Sequence, residues 1–334
     1  MLSYLRKTID PFLIMLIIAM GLATILPVHG QGLPVFDGLT DAAIILLFFL
    51  QGAKLSREAI INGASAWRLH LAVLLFTFGI FPLLGIGLSS LPLLDPTMAG
   101  GMLFLTLLPS TVQSSIAFTS IARGNVAAAV CSASFSNLLG IALTPLLASL
   151  LMRSQGVAMS LSGAQTILLQ LLLPFAVGHL LRPRIGAWVG RHKPLVTIVD
   201  RGSILLVVYT AFSAAVIEGI WHRVSPGELT VVGLCCAVLL ATILTLTWLA
   251  ARAMGLGRAE AIVLQFCGSK KSLVSGVPIA GILFPAAQVG MAVLPLMLFH
   301  QIQLFACAML ARHYSKTDPD VGKAASLAGA SPSP

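Results

Sequence analysis

The sequence predicts an all-α polytopic membrane protein of ten transmembrane helices in two inverted five-helix repeats. Three observations carry this. Hydrophobic residues make up 57% of the 334-residue chain and charged residues only 9%, against about 25% charged in a soluble domain; so few charges do not solvate a soluble body of this size. The apolar runs are unbroken for about 20 residues, the length a helix needs to cross the hydrocarbon, and lack the alternation of a transmembrane barrel. The Lys and Arg side chains gather on one side of the layout those runs define.

In chain order the runs place helices at 11–28, 36–53, 67–90, 97–122, 126–151, 162–181, 202–220, 229–251, 259–283 and 287–311. The first follows Arg6 and Lys7 as a signal peptide does, but it ends in Pro27-Val28-His29 with no small-residue cleavage site and is kept as a span. With the N-terminus in the cytoplasm, sixteen of the twenty Lys and Arg fall in inside segments. Two, Arg153 and Arg223, fall outside, and Lys270 and Lys271 fall within the ninth span. That asymmetry is what the positive-inside rule requires, and adding or removing one helix would invert the later loops. The expected location is therefore a plasma or bacterial inner membrane, crossed many times, with both termini cytoplasmic. Trp67 and Trp221, near span ends, read as interfacial anchors.

The net charge of +9 is assigned to orientation and to anionic headgroups. No Lys/Arg-dense helix or aromatic-basic stripe points to nucleic acid. The five cysteines lie inside apolar stretches without metal-ligand spacing, and read as buried apolar side chains. Residues 313–334 are rich in Ala, Gly, Ser and Pro and are expected to form a disordered cytoplasmic tail.

The chain divides near 153–160 into halves, 1–155 and 156–312, of five helices each. Five is odd, so the halves enter the membrane from opposite sides, the parity of an inverted repeat. The fourth helix of each half is interrupted near its middle, by Leu108-Pro109-Ser110-Thr111-Val112-Gln113-Ser114-Ser115 and by Gln265-Phe266-Cys267-Gly268-Ser269-Lys270-Lys271-Ser272. Pro109 removes a backbone donor and clashes with the preceding turn, and Gly268-Ser269 weakens the ninth span. Main-chain groups freed there must be buried in protein or line a wet cavity. Paired interruptions in two halves are the sequence signature of a transporter's binding site.

The candidate binding residues follow. Thr111, Gln113, Ser114 and Ser115 surround the first break; Gln265, Ser269, Lys270, Lys271 and Ser272 surround the second. The fifth span adds Ser134 and Asn137, which share a helix face, beside Ser132 and Ser136. Such groups also serve as plain interhelical hydrogen bonds, and His300, with Gln301 and Gln303, is a candidate to titrate or bind that reads first as a packed, hydrogen-bonded histidine. From mid-span a lysine does not reach water by snorkelling, so neither ammonium is expected to face lipid. Adjacent helix positions point about 100° apart, giving the two lysines different jobs: a cap on span-four carbonyls, or a fixed cation in the transport site. All eleven Asp and Glu fall in loops, tails or span ends, so a mid-membrane carboxylate relay is not expected.

The strings Pro109-Ser-Thr-Val-Gln-Ser-Ser-Ile-Ala-Phe-Thr-Ser-Ile-Ala-Arg-Gly-Asn-Val126 and Phe266-Cys-Gly-Ser-Lys-Lys-Ser-Leu-Val-Ser-Gly-Val-Pro278 resemble the bile acid:sodium symporter family, solute carrier family ten, and within it the orphan branch around its seventh member. The resemblance covers about 1–312. It implies a panel domain of spans 1, 2, 6 and 7, and a core of spans 3–5 and 8–10 in which broken helices four and nine cross. In sodium-coupled members a span-nine Glu, a nearby Gln, a span-four Ser-Asn pair and span-five hydroxyls bind two sodium ions. Here the Glu position falls on Gln265, the Gln position on Ser269 and the neighbouring small polar positions on Lys270 and Lys271. The Ser-Asn pair falls near Ser114-Ser115, and the span-five Thr near Ala133. The resemblance thus implies the fold but not the sodium ligands; sodium stays open as a coupling ion, with Ser114, Ser115 and Gln265 nearest to its family ligands. No other cofactor is expected.

The expected function is a secondary active transporter of a small organic, anionic and amphipathic solute. It works by alternating access at the crossing of helices four and nine, with a lysine in place of sodium. That amine either exchanges a proton during the cycle or stays charged and holds the anion. The alternatives are a sodium-coupled bile-acid-type symporter and, from another class, a non-transporting membrane regulator of ion homeostasis. An enzyme is not expected: HExxH, GxSxG and GxxxxGK[ST] are absent, and Ser269 diverges in direction from the adjacent lysines. The expected partners are the solute and the bilayer; solute identity and oligomeric state are not legible in the residues.

Overall fold

A computed structural model describes residues 11–30, 32–54, 66–92, 94–152, 165–166, 168–217, 219 and 225–317. Among these every regular element is a helix. In chain order they are α1 (Pro11–Ile25), α2 (Gly32–Lys54), α3 (Trp67–Ser89, with a π-turn at Phe76–Ile80), α4 (Pro96–Leu107), α5 (Val112–Ile121) and α6 (Val126–Leu151). Then come α7 (Leu173–Arg191, entered through a π-turn at Leu168–Leu172), α8 (Lys193–Ile217), α9 (Pro226–Ala253), α10 (Arg258–Gly268), α11 (Leu273–Leu283) and α12 (Ala286–Lys316).

Six of the described helices, α2, α3, α6, α8, α9 and α12, are long and apolar enough to cross a bilayer; the pair α4 and α5, bent by 61°, makes a seventh if it is one broken span. The outer surface agrees: Ile17, Ile25, Leu180, Ile198 and Leu234 are each more than half exposed, an apolar exterior that water would not tolerate on this scale. The chain is a multi-pass membrane protein.

Helix starts follow local chemistry. Asp95 caps α4 through Thr97 N–H, Asn125 caps α6 through Ala128 N–H, and Ser225 with Glu228 forms a reciprocal capping box on α9. Helices α2 and α7 cross so closely that both need glycine. A Cβ on Gly52 would fall on the Phe175 carbonyl, and one on Gly178 on the Phe49 carbonyl. Helix α8 lies against α1 and α2, joined to α2 by the Lys54–Asp200 ion pair.

Three sequence expectations are corrected. The sixth span was expected to end at 181 and the seventh to begin at 202, but α7 runs to Arg191 and α8 begins at Lys193. Arg182, Arg184, Arg191, Lys193 and Arg201 are therefore helical rather than loop residues. An apolar run marks the hydrocarbon, whereas main-chain hydrogen bonds carry the helix on into water. For the same reason α12 extends through Lys316, and its last turn holds His313 and Lys316, cations suited to a helix C-terminus; residues 313–316 are thus not disordered tail. Third, Asp200, expected in the loop between the sixth and seventh spans, lies in the second turn of α8 and is only 8% exposed. The boundary between the halves, Trp221 and residues 318–334 lie outside the described residues.

Candidate functional site

Both breaks fall where the residues predict them. Leu108 leaves α4 in an extended conformation, and Thr111 is extended ahead of α5; Gly268 is the last residue of α10, and Ser272 caps α11 through Ser275 N–H. The two breaks satisfy each other's main-chain groups. Ser272 N–H donates to the Pro109 carbonyl at 2.9 Å, the Thr111 hydroxyl to Lys271 O at 2.8 Å, the Ser110 hydroxyl to Cys267 O at 2.6 Å and the Ser115 hydroxyl to Phe266 O at 3.1 Å. Ser136 on α6 accepts from Ser110 N–H at 2.9 Å. A Cβ on Gly140 would strike the Pro109 ring, so α6 backs directly onto the first break. Orphan groups at four helix ends are thus paired within the protein.

The two lysines are both fully buried and do different things. The Lys271 ammonium donates three hydrogen bonds of 2.7 Å each, to the main-chain oxygens of Thr77, Thr106 and Leu108, and lies 4.1 Å from the centre of the Phe81 ring. Thr106 and Leu108 are orphan carbonyls at the end of α4. Thr77 is mid-helix, and the π-turn frees its oxygen: Phe81 N–H bonds to Phe76 O, and the next donor in that register is Pro82, which has no N–H. The Lys270 ammonium lies 3.8 Å over the Phe118 ring and 5.6 Å from that of Phe266, with no hydrogen-bond acceptor among the described residues.

A cavity of about 320 Å³ opens beside this crossing. Its walls come from α1, α2, α7 and α8 on one side and from α5, α6, α11 and α12 on the other. Of the sequence-predicted residues it gathers Thr111, Gln113, Ser114, Ser134, Asn137 and Ser272. Ser134 and Asn137 share a face as expected, and Asn137 accepts from the Ser275 hydroxyl at 2.9 Å. Ser115, Gln265, Ser269, Lys270 and Lys271 are not in its wall. Ser115 and Ser269 bond to main-chain oxygens of Phe266 and Gln265, and the Gln265 amide is held by the Tyr314 hydroxyl and the Leu244 carbonyl. The pairing of the breaks turns these five into the body of the crossing, away from the cavity. Ser132 likewise bonds to His70 at 2.7 Å.

Residue-by-residue reading missed part of the wall. Gln51, Lys54, Asp200 and Arg201 all face the cavity, beside His300, which the sequence singles out chiefly as a packed histidine. A second cavity of about 380 Å³ shares Lys54, Gln113, Thr197 and Asp200 with it and adds Arg182 and Lys193. Among the described residues the charged lining is thus four cations to one carboxylate. Apolar patterning carries no trace of this cluster, because its members were counted as loop charges.

A family model described as the SBF-like CPA transporter family matches residues 10–316. The chain is 54% identical over 314 residues to YfeH of Escherichia coli (strain K12), a protein named as a candidate symporter, covering 93% of this chain and 95% of that one. It is 55% identical over 318 residues to an uncharacterized protein of Pseudomonas aeruginosa, covering 94% and 96%. It is 26% identical over 318 residues to the sodium/bile acid cotransporter 7 of Rattus norvegicus, covering 93% of each. The resemblance read from the two break strings is thereby borne out.

Proposed function

This chain belongs to the SBF-like CPA transporter family, and from that premise we propose that it is a secondary active transporter of a small organic, anionic and amphipathic solute, working by alternating access. On this reading ten spans form two inverted five-helix halves. Helices α1, α2, α7 and α8 are a panel that rocks against a core of the remaining helices, and both termini are cytoplasmic.

The observation that carries the reading is the cavity between those two sets of helices, with the first turns of both half-helices, α5 and α11, in its wall. Helix N-termini carry positive partial charge and favour anions. Lys54, Arg182, Lys193 and Arg201 add full charges against Asp200 alone. Phe12, Leu138, Phe175 and Ile204 supply apolar surface for the body of the solute, and about 320 Å³ lies at the small end of ordinary small-molecule sites. The positive-inside rule puts the basic mouth in the cytoplasm, making this an inward-facing state.

We take Lys271 as a built-in cation. Its ammonium meets three main-chain oxygens as a bound cation at a helix break would, so the crossing carries its own charge. Of the side chains nearest the family's sodium ligands, Gln265 and Ser115 are committed to protein partners, and the one hydroxyl left over among the described residues, that of Ser114, is too small a ligand set for that ion. Sodium is therefore given no step.

A thermal-shift screen of the purified protein against organic anions, run in sodium and in sodium-free buffer, tests this, followed by flux of the hits in proteoliposomes. Equal stabilisation in both buffers with flux is the expected result. Stabilisation only in sodium would replace it with a sodium symporter, and no stabilisation by any anion with a non-transporting regulator.

A further inference from the structure

Gln303, on α12 and fully buried, clamps the second break. Its Oε1 accepts from Lys271 N–H at 2.9 Å, and its Nε2 donates to Lys271 C=O at 2.9 Å. A main-chain N–H only donates and a carbonyl only accepts, so the backbone of Lys271 fixes which way the amide faces. The same Nε2 lies 2.8 Å from Nδ1 of His300. Facing an amide donor, Nδ1 has to be the acceptor, which makes His300 in this arrangement the tautomer with its hydrogen on Nε2.

An imidazolium carries a hydrogen on both ring nitrogens. Protonated His300 sets two donors against each other, and Gln303 cannot turn its amide over without setting its NH₂ against Lys271 N–H. With the imidazole held in this position, the clamp on Lys271 and the charged form of His300 exclude each other. His300 lines the cavity, so a proton entering from there reaches it. Lys271 is the residue whose ammonium ties α3 and α4 to the break.

We propose that His300 is a proton-binding site in the wall of the cavity, and that its protonation releases Gln303 from the main chain of Lys271 and loosens the helix break. The charged and titratable surroundings among the described residues are as follows. Of the elements packed against α12, α4, α5 and α11 carry no titratable side chain. Helix α8 brings Asp200 and Arg201 to the same cavity, and α9 brings Cys236 against Pro295. Lys54 faces the cavity from α2, the Lys271 ammonium is turned to its three carbonyls, and Lys270 points to Phe118. Only the use of the proton, as the ion coupled to solute movement, rests on the transport reading; the switch stands without it.

Hydrogen–deuterium exchange of the full chain in nanodiscs, read on the peptide holding the Lys271 amide, tests the switch without any substrate. Samples at about pH 5.5 and about pH 7.5 bracket the ordinary histidine range, with the chemical exchange rate corrected for pH. Wild type is expected to exchange about tenfold faster in acid at this peptide and not in α9, the size of effect that losing one buried hydrogen bond gives. His300→Asn sets a carbonyl oxygen near the place of Nδ1 and takes no proton, so exchange there stays slow at both pH values; His300→Gln serves if the first variant does not fold. Gln303→Leu is expected to exchange fast at both. An acid response that is missing from wild type, or that survives in the histidine variants, overturns the proposal. Solute flux in proteoliposomes, measured on the same variants, reports separately on transport: flux without the acid response leaves the transport reading standing and removes the proton site.

Discussion

The ammonium of Lys271 donates to the main-chain oxygen of Thr77, a residue 194 positions earlier in the chain, at 2.7 Å. With the bonds to Thr106 and Leu108, that contact uses all three ammonium hydrogens. Nothing is left over for a solute. In this state the group is a positioning residue that neutralises the negative end of α4 and holds α3 to the crossing. Lys271→Met keeps the volume and leaves three buried carbonyls without a donor. Each costs about 1–3 kcal/mol, so thermal unfolding in detergent, followed by intrinsic fluorescence, is expected to show a large loss of stability or no folded protein.

Lys270 gives the opposite expectation. Its ammonium has aromatic faces and no hydrogen-bond acceptor among the described residues, so desolvation is offset only by cation–π attraction of roughly 2 kcal/mol. Replacing an unpaired buried charge with an apolar group of similar shape is commonly neutral or stabilising. Lys270→Met is expected to unfold at or above the wild-type temperature in the same assay. A loss as large as that of Lys271→Met would mean that the charge at 270 has a partner.

The Thr77 oxygen is free because Pro82 has no hydrogen to give it. Pro82→Ala restores a donor within the helix and competes with Lys271 for that stretch of α3. Neighbouring sites of this kind are not additive. The double variant Pro82→Ala with Lys271→Met is expected to lose about 1 kcal/mol less than the two single losses summed. Unfolding of all four proteins closes the cycle; strict additivity would show that the π-turn does not serve the lysine.

These contrasts mark how far the residues alone could be read. Pro109 and Gly268-Ser269 announced both breaks, because a missing donor and a weak helix former act locally. Ser134 and Asn137 were legible as one face, because helix periodicity alone decides it. The division of labour between Lys270 and Lys271 was not, since it depends on where a π-turn in α3 leaves one carbonyl. The spacing from Thr77 to Pro82 was the available signal, but it has meaning only once α3 is known to pack on the crossing. Lys54, Asp200 and Arg201 escaped for another reason: hydropathy locates the hydrocarbon, and these residues sit on helices that continue beyond it.

Asp200 is the one carboxylate among the described charged residues lining the two cavities. One oxygen pairs with Lys54, while the other is buried without a hydrogen-bond partner among the described residues. An anionic solute in the cavity competes with Asp200 for the ammonium of Lys54, whose side chain is 30% exposed. Asp200→Asn removes the competitor and is expected to tighten binding of an anion taken from the thermal-shift screen about three- to tenfold, while Lys54→Gln weakens it by a similar factor. Both effects should shrink as salt rises past about 0.15 M, since the pair lies near water where ions screen it. Calorimetric titration at two salt concentrations, with an uncharged analogue as control, reads all three terms. If Asp200→Asn binds the anion as wild type does, and is merely less stable, the ion pair serves only to fasten α2 to α8, and the anion's charge is met instead by the helix ends of α5 and α11.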